Sequence, residues 1–172
     1  MNYFELFEIP VQLQVDMAGL SKRFFELSKK HHPDYFINES DELQNDALEK
    51  SALLNKAFKT FQKKELTIKY VLQLKELLEE EEKYQLPPIF LMEMMELNEE
   101  LMDQQIEETD TAAESMKKRI DQLQNEIYEP VKEIIENYNE LLHSEKELLQ
   151  VKEYYFKKKY LDRIAEQLNG MM

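Results

Sequence analysis

The side chains able to do acid–base chemistry near neutral pH are three histidines and 36 carboxylates, and their spacing limits what they could do. His31, His32 and His143 form no H-x-x-x-H or H-x-x-E-H pattern, so no catalytic metal site is expected. Cysteine is absent, which removes disulfides, thiol nucleophiles and thiolate ligands together. No Gly-rich loop is present to cradle a phosphate. The carboxylates are too numerous for any pair to stand out. The sequence therefore predicts a protein that is not an enzyme and needs no cofactor.

One arrangement remains. His32-Pro33-Asp34 places an imidazole and a carboxylate on either side of a proline. Proline pushes the residue before it out of the helical region, so a helix arriving from Met17 should stop near His31. The triplet then stands at a helix tip, where another molecule can read it. At ordinary residue frequencies the tripeptide arises by accident in about one chain in a hundred of this size, so its surroundings decide its meaning.

Those surroundings are helical. The 172 residues contain two glycines and five prolines, too few glycines for the tight turns of a sheet, and are rich in Glu, Lys, Leu, Gln and Met. The predicted class is all-α. Asp16 is positioned to cap a helix over Met17 to about His31, in which Leu20, Phe24, Leu27 and His31 fall on one stripe at about 100° per residue. Lys22, Arg23, Lys29 and Lys30 occupy its other side. A third helix is expected from Asp41 to about Lys63, and a further one over Glu65 to Glu82. Pro87-Pro88 breaks the ladder and marks a domain boundary. Beyond it three periodic stretches are expected. The first covers Ile89 to about Glu108; the second begins at a Thr111-x-x-Glu114 capping box and kinks at Pro130. The third begins at a Ser144-x-x-Glu147 box and stops at Asn169-Gly170.

The formal charge is −14. Repulsion from a polyanion makes nucleic acid and anionic membrane poor partners. The N-terminus lacks the basic-then-apolar layout of a signal peptide, and no apolar run reaches the roughly 20 residues that span a bilayer. A cytoplasmic location is expected.

The stretch Phe90 to Ile106 carries two apolar stripes. Phe90, Met94, Leu97 and Leu101 form one; Leu91, Met92, Met95, Met102 and Ile106 form the second, bordered by Glu96, Glu99 and Asp103. Both could be core, because each helix of a three-helix bundle touches two others. Alternatively the first is core and the second an exposed docking patch, for which flexible, polarisable methionine is suited.

Several motifs resemble the HscB family, J-domain co-chaperones of iron–sulfur cluster biogenesis. They are Tyr3-Phe4-x-Leu6-Phe7, Leu20-Ser21-x-x-Phe24-x-x-Leu27 followed by His32-Pro33-Asp34, Asp34-x-Phe36, Asn55-x-Ala57, Tyr70-x-Leu72 and Phe90-Leu91-Met92-Glu93. The likeness spans nearly the whole chain and is loosest around Glu126 to Leu149; Tyr35 stands where many bacterial members have lysine. The resemblance implies an N-terminal J domain, a helical hairpin with the His-Pro-Asp loop, over residues 1–73. A connecting helical segment over 74–86 would lead to a C-terminal antiparallel three-helix bundle over 87–172, in a bent two-lobed shape. It implies that His32, Pro33, Asp34, Lys22, Arg23, Lys29 and Lys30 meet a DnaK/HscA-type ATPase chaperone and stimulate it. It also implies that Leu91, Met92, Met95, Glu96, Glu99, Asp103 and Tyr160 bind an iron–sulfur scaffold protein of the IscU type. A J-domain co-chaperone for another client, or a non-catalytic helical adaptor in which the triplet is accidental, are the alternatives.

Overall fold

The computed structural model describes residues 1–107 and 110–171, and among them every regular element is helical. The chain divides into two compact units, residues 1–75 with 135–143 and residues 76–134 with 144–172. Residues 135–143 thus group with the N-terminal unit, although the sequence placed them with the C-terminal bundle.

In the N-terminal unit, helix α1 (Tyr3–Phe7) is only five residues long and is held by its ends. Asn2 and Glu5 form a capping box: Glu5 N–H donates to Asn2 Oδ1 at 2.8 Å and Asn2 N–H to Glu5 Oε2 at 3.1 Å. Such a short helix is unstable alone, so aromatic packing must fix it. Tyr3 stacks on Tyr70 at 4.3 Å, and Phe4 packs on Phe61 at 4.9 Å. Helix α2 (Met17–Lys30) starts where Asp16 accepts from Gly19 N–H at 3.1 Å, as expected. A 3-10 turn (Pro33–Phe36) leads to α3 (Asp41–Gln62), which Ser40 caps. Phe24 of α2 stacks on Phe58 of α3 at 4.2 Å, and Leu20, Leu27, Ala47 and Leu54 fill the core of this hairpin. Helix α4 (Lys64–Leu74) closes the unit through Ile68, Val71 and Leu72.

The helix expected to run to Glu82 ends at Leu74 instead. Glu76 takes a left-handed conformation (φ 59°), and the stretch 77–87 is non-helical, with a turn at Glu80 and Glu81 where Glu81 is left-handed as well (φ 55°). Two forces explain the early stop. Carboxylates at Glu79 to Glu82 would repel one another across each turn and oppose the negative end of the helix dipole. The residues are also held elsewhere, within the C-terminal unit: Glu82 meets Lys152 at 2.7 Å, and Tyr84 stacks flat on Phe156 at 4.6 Å. The connection is therefore not a helical rod.

In the C-terminal unit, α5 (Pro88–Glu107) begins on proline, which is tolerated in a first turn. Helix α6 (Asp110–Tyr128) follows. Thr111 lies inside its first turn and is not its cap. The end expected for α5 near Glu108 lies outside the described residues. Pro130 interrupts the chain as expected, giving a 3-10 turn (Glu129–Val131) and then the short α7 (Lys132–Asn137). Helix α8 (Glu145–Met171) starts at the predicted box, with Ser144 N–H donating to Glu147 Oε1 at 3.0 Å. It does not stop at Asn169-Gly170, because Gly170 does not adopt the left-handed conformation that would end it. Helices α5, α6 and α8 pack on one another around Phe90, Met94, Leu97, Leu101, Met116, Ile120, Leu123, Leu161, Ile164 and Leu168. This is the three-helix bundle.

Leu97 is fully buried in that core. A Leu97→Ala variant is expected to lose about 2–5 kcal/mol of stability, read as a lower urea midpoint for the C-terminal unit. The Lys152 hydrogen bond holds the Glu82 carboxyl below the usual carboxylate range. A depressed folded-state pKa adds stability that is present at neutral pH and is lost as pH falls through that pKa. Wild type should therefore exceed Glu82→Gln in melting temperature at neutral pH, and the gap should narrow as pH falls below the usual carboxylate range.

Candidate functional site

The first candidate surface lies in the N-terminal unit, at the end of α2. His31 closes that helix, its N–H donating to Leu27 O at 3.0 Å. Partial burial, with Lys50 and Lys30 nearby, pushes its pKa down, so it is a neutral packing residue. His32 turns outward. Its Nδ1 accepts from Asp34 N–H at 3.2 Å, and Asp34 Oδ2 lies 3.5 Å from the same nitrogen. In the neutral ring this leaves the proton on Nε2, a donor free for another molecule. The His32 and Asp34 side chains are 52% and 79% exposed. Gln44 steadies the loop from α3, donating to Ile37 O at 3.1 Å and Glu39 O at 2.9 Å. The imidazole is thus oriented by backbone and faces solvent.

The four cations of α2 are not equivalent. Lys22, Lys29 and Lys30 are exposed. Arg23 is half-buried: its Nε donates to Phe7 O at 3.3 Å, and its guanidinium pairs with Glu8 and with Glu26 at 3.5 Å. Its charge is already met inside the unit. Two exposed aromatic residues stand beside the triplet, Tyr35 and Phe25, the latter not singled out by the sequence. Phe25 is 65% exposed, with Lys29 Nζ 5.6 Å from its ring, and Tyr35 meets the His32 ring edge-on at 6.4 Å. Both line a shallow groove with Ser28, Lys29, His32 and Asp34. The signal for Phe25 was available: it falls about 100° off the buried stripe of its own helix.

The second surface is one face of α5. Phe90, Met94, Leu97 and Leu101 are buried, as the first stripe required. The second stripe is in solvent: Leu91 lies at the edge at 36% exposed, while Met92 and Met95 reach 62% and 61%. The possibility that both stripes are core is therefore excluded. Glu96, Glu99 and Asp103 are exposed beside it. Tyr160 of α8 is half-buried and meets Phe90 edge-on at 6.3 Å, so its ring is fixed against the start of α5. Gln124 of α6 donates to Asp162 at 2.9 Å, and Lys158 to the same oxygen at 3.1 Å, which ties α6 to α8 beneath. Among the described residues neither surface brings together three or more ligands for a metal. Among the described residues no helix is long and apolar enough to cross a membrane.

Comparison with known proteins gives one consistent likeness. Residues 86–169 match the family model of the HSCB C-terminal oligomerisation domain. A co-chaperone protein HscB homolog from Vibrio cholerae serotype O1 (strain M66-2) is 41% identical over 103 residues, 59% of this chain and 60% of the relative. A homolog from the strain ATCC 39541 is 39% identical over 102 residues. The matched stretch thus spans 60% of the length of these curated relatives. The crystal structure of human co-chaperone protein HscB superposes with a TM-score of 0.75 at 26% identity, covering 98% of this chain and 81% of that one. Chaperone HscB from Vibrio cholerae gives a TM-score of 0.73 at 25% identity, covering 98% and 96%. Residues 86–169 are thus similar to the HSCB C-terminal oligomerisation domain, and the chain as a whole is similar in sequence and fold to HscB co-chaperones.

Proposed function

We propose that this chain is a co-chaperone that binds an iron–sulfur scaffold protein of the IscU type and delivers it to a DnaK/HscA-type chaperone while stimulating that chaperone's ATPase. The observation that carries the reading is the exposed Leu91, Met92 and Met95 strip, in a helix whose opposite stripe is fully committed to the core. A bundle gains nothing in stability from leaving adjacent leucine and methionine side chains in water, so an apolar patch of this kind is matched to a partner. Support for the chaperone half comes from the outward-facing His32 and Asp34, beside three exposed lysines on an otherwise acidic chain. The lysines would orient an acidic surface of the ATPase and speed its approach. The triplet would then bias the chaperone's conformational equilibrium toward hydrolysis.

Two partner surfaces on one chain raise the effective concentration of client at the chaperone. Arg23 has a smaller share in docking than the three lysines, since its partners are internal. Tyr160 contributes by position, its ring already ordered against Phe90. The reading is tested by mixing the purified chain with a purified IscU-type scaffold and a DnaK-type chaperone. Capture of the scaffold and acceleration of ATP turnover are both expected. Absence of either removes that half of the proposal.

A further inference from the structure

The exposed face of α5 extends well past Leu91, Met92 and Met95. Met102 is 65% and Ile106 83% exposed, two and three turns further along the same side. Between Met95 and Met102 lies Glu99, also exposed. Met92, Met95, Glu99, Met102 and Ile106 are separated by three, four, three and four residues, the spacing of a coiled-coil seam. At about 1.5 Å per residue the seam runs about 21 Å without a break. The bundle core uses the other stripe, so among the described residues no helix of the C-terminal unit occupies this seam.

From this we infer that the seam receives one amphipathic helix of a partner protein, apolar at matching spacing, with a lysine or arginine opposite Glu99 and basic residues along one flank. Charge selects this occupant. Glu99 sits at the centre of the seam, and Glu96 and Asp103 run along one edge; none of the three has a cationic partner among the described residues. A carboxylate covered by a helix without a counter-charge is strongly destabilising, so the partner must bring a cation there. A second copy of this chain fits badly. Parallel in-register pairing sets Glu99 against Glu99, and antiparallel pairing does the same because residue 99 is the midpoint of 92 to 106. Each copy would also add its excess of negative charge. A single polar seam position is a known means of fixing the register of paired helices, and here it would set where the partner helix stops sliding.

The inference rests on the reading of α5 as a client surface, and deepens it by naming the partner's element and sign. The test uses the full chain and a synthetic amphipathic peptide of about three heptads, leucine at its seam positions and lysine on one flank, with either lysine or glutamate at the central seam position. Fluorescence anisotropy should show the lysine form binding wild type at least about tenfold more tightly than the glutamate form. Glu99→Lys should reverse that order. A Met102→Ala/Ile106→Ala variant should weaken both peptides by about tenfold. Equal binding of the two peptides, or no loss in the double variant, overturns the inference. So does sedimentation showing a wild-type dimer that the double variant dissolves, since the occupant is then a second copy. The two readings fail separately. If an IscU-type scaffold is never captured but the peptides obey the charge rule, the scaffold assignment alone falls. If scaffold capture depends on Leu91, Met92 and Met95 and ignores Glu99, Met102 and Ile106, the seam alone falls.

Discussion

A His32→Gln variant is expected to lose its stimulation of a DnaK-type ATPase while folding as wild type does. The two parts follow from the same geometry. The His32 side chain is 52% exposed, and its single backbone bond is to Asp34 N–H, which glutamine's carbonyl can replace. Substitutions at such exposed positions change stability by about 0.5 kcal/mol or less, so the melting temperature should move by no more than about 2 °C. Stimulation, by contrast, should fall at least about tenfold, the equivalent of about 1.4 kcal/mol of activation free energy in the chaperone. Steady-state ATP turnover at saturating co-chaperone separates this from a docking defect. A Lys22→Ala/Lys29→Ala/Lys30→Ala variant should instead reach near-normal turnover at higher concentration, with a binding constant more sensitive to salt in wild type than in the variant.

The second large effect is on the client. Replacing Leu91, Met92 and Met95 together by alanine should weaken scaffold binding by about 3 kcal/mol or more, over a hundredfold in Kd. The fold should hold or gain slightly. These side chains face water, and alanine is the better helix former. Leu97→Ala is the internal control: it lies on the same helix, is fully buried, and should cost stability first and binding only through unfolding. Titration of a labelled scaffold against wild type and the two variants distinguishes these outcomes. If the triple-alanine variant binds as wild type does, the client surface lies elsewhere.

The legible parts of the fold were those where local chemistry and tertiary packing agree. Asp16 before α2, Pro33 after it, Ser144 before α8 and Pro130 within the bundle each act through the backbone nearby, and each stands where expected. The buried stripe of α5 was readable because leucine and methionine at helical spacing leave little choice. Helix α1 is held in place because its aromatic residues reach Phe61 and Tyr70. Two further features were not readable, and both depend on distant contacts. The periodic pattern past Leu74 does not form a helix because Lys152 and Phe156 hold Glu82 and Tyr84 in an irregular segment packed against α8. Residues 135–143 join the N-terminal unit through Glu140, which pairs with Lys75, a choice no local pattern encodes. At the candidate sites the expected residues were named without their degree of use. Arg23 shared a basic face with three lysines in the sequence, and only coordinates show its charge satisfied internally. Phe25 was hidden by its neighbour Phe24, which fits the buried stripe better.

The central claim is that one chain couples a client to a chaperone through two separate surfaces. Its most direct measurement is ATP turnover by a DnaK/HscA-type chaperone with the scaffold alone, with this chain alone, and with both. Turnover with both should exceed the sum of the separate effects, and Leu91→Ala/Met92→Ala/Met95→Ala should erase the excess while leaving the chain's own stimulation intact. Strictly additive turnover, or an excess that survives in the triple variant, would contradict the coupling.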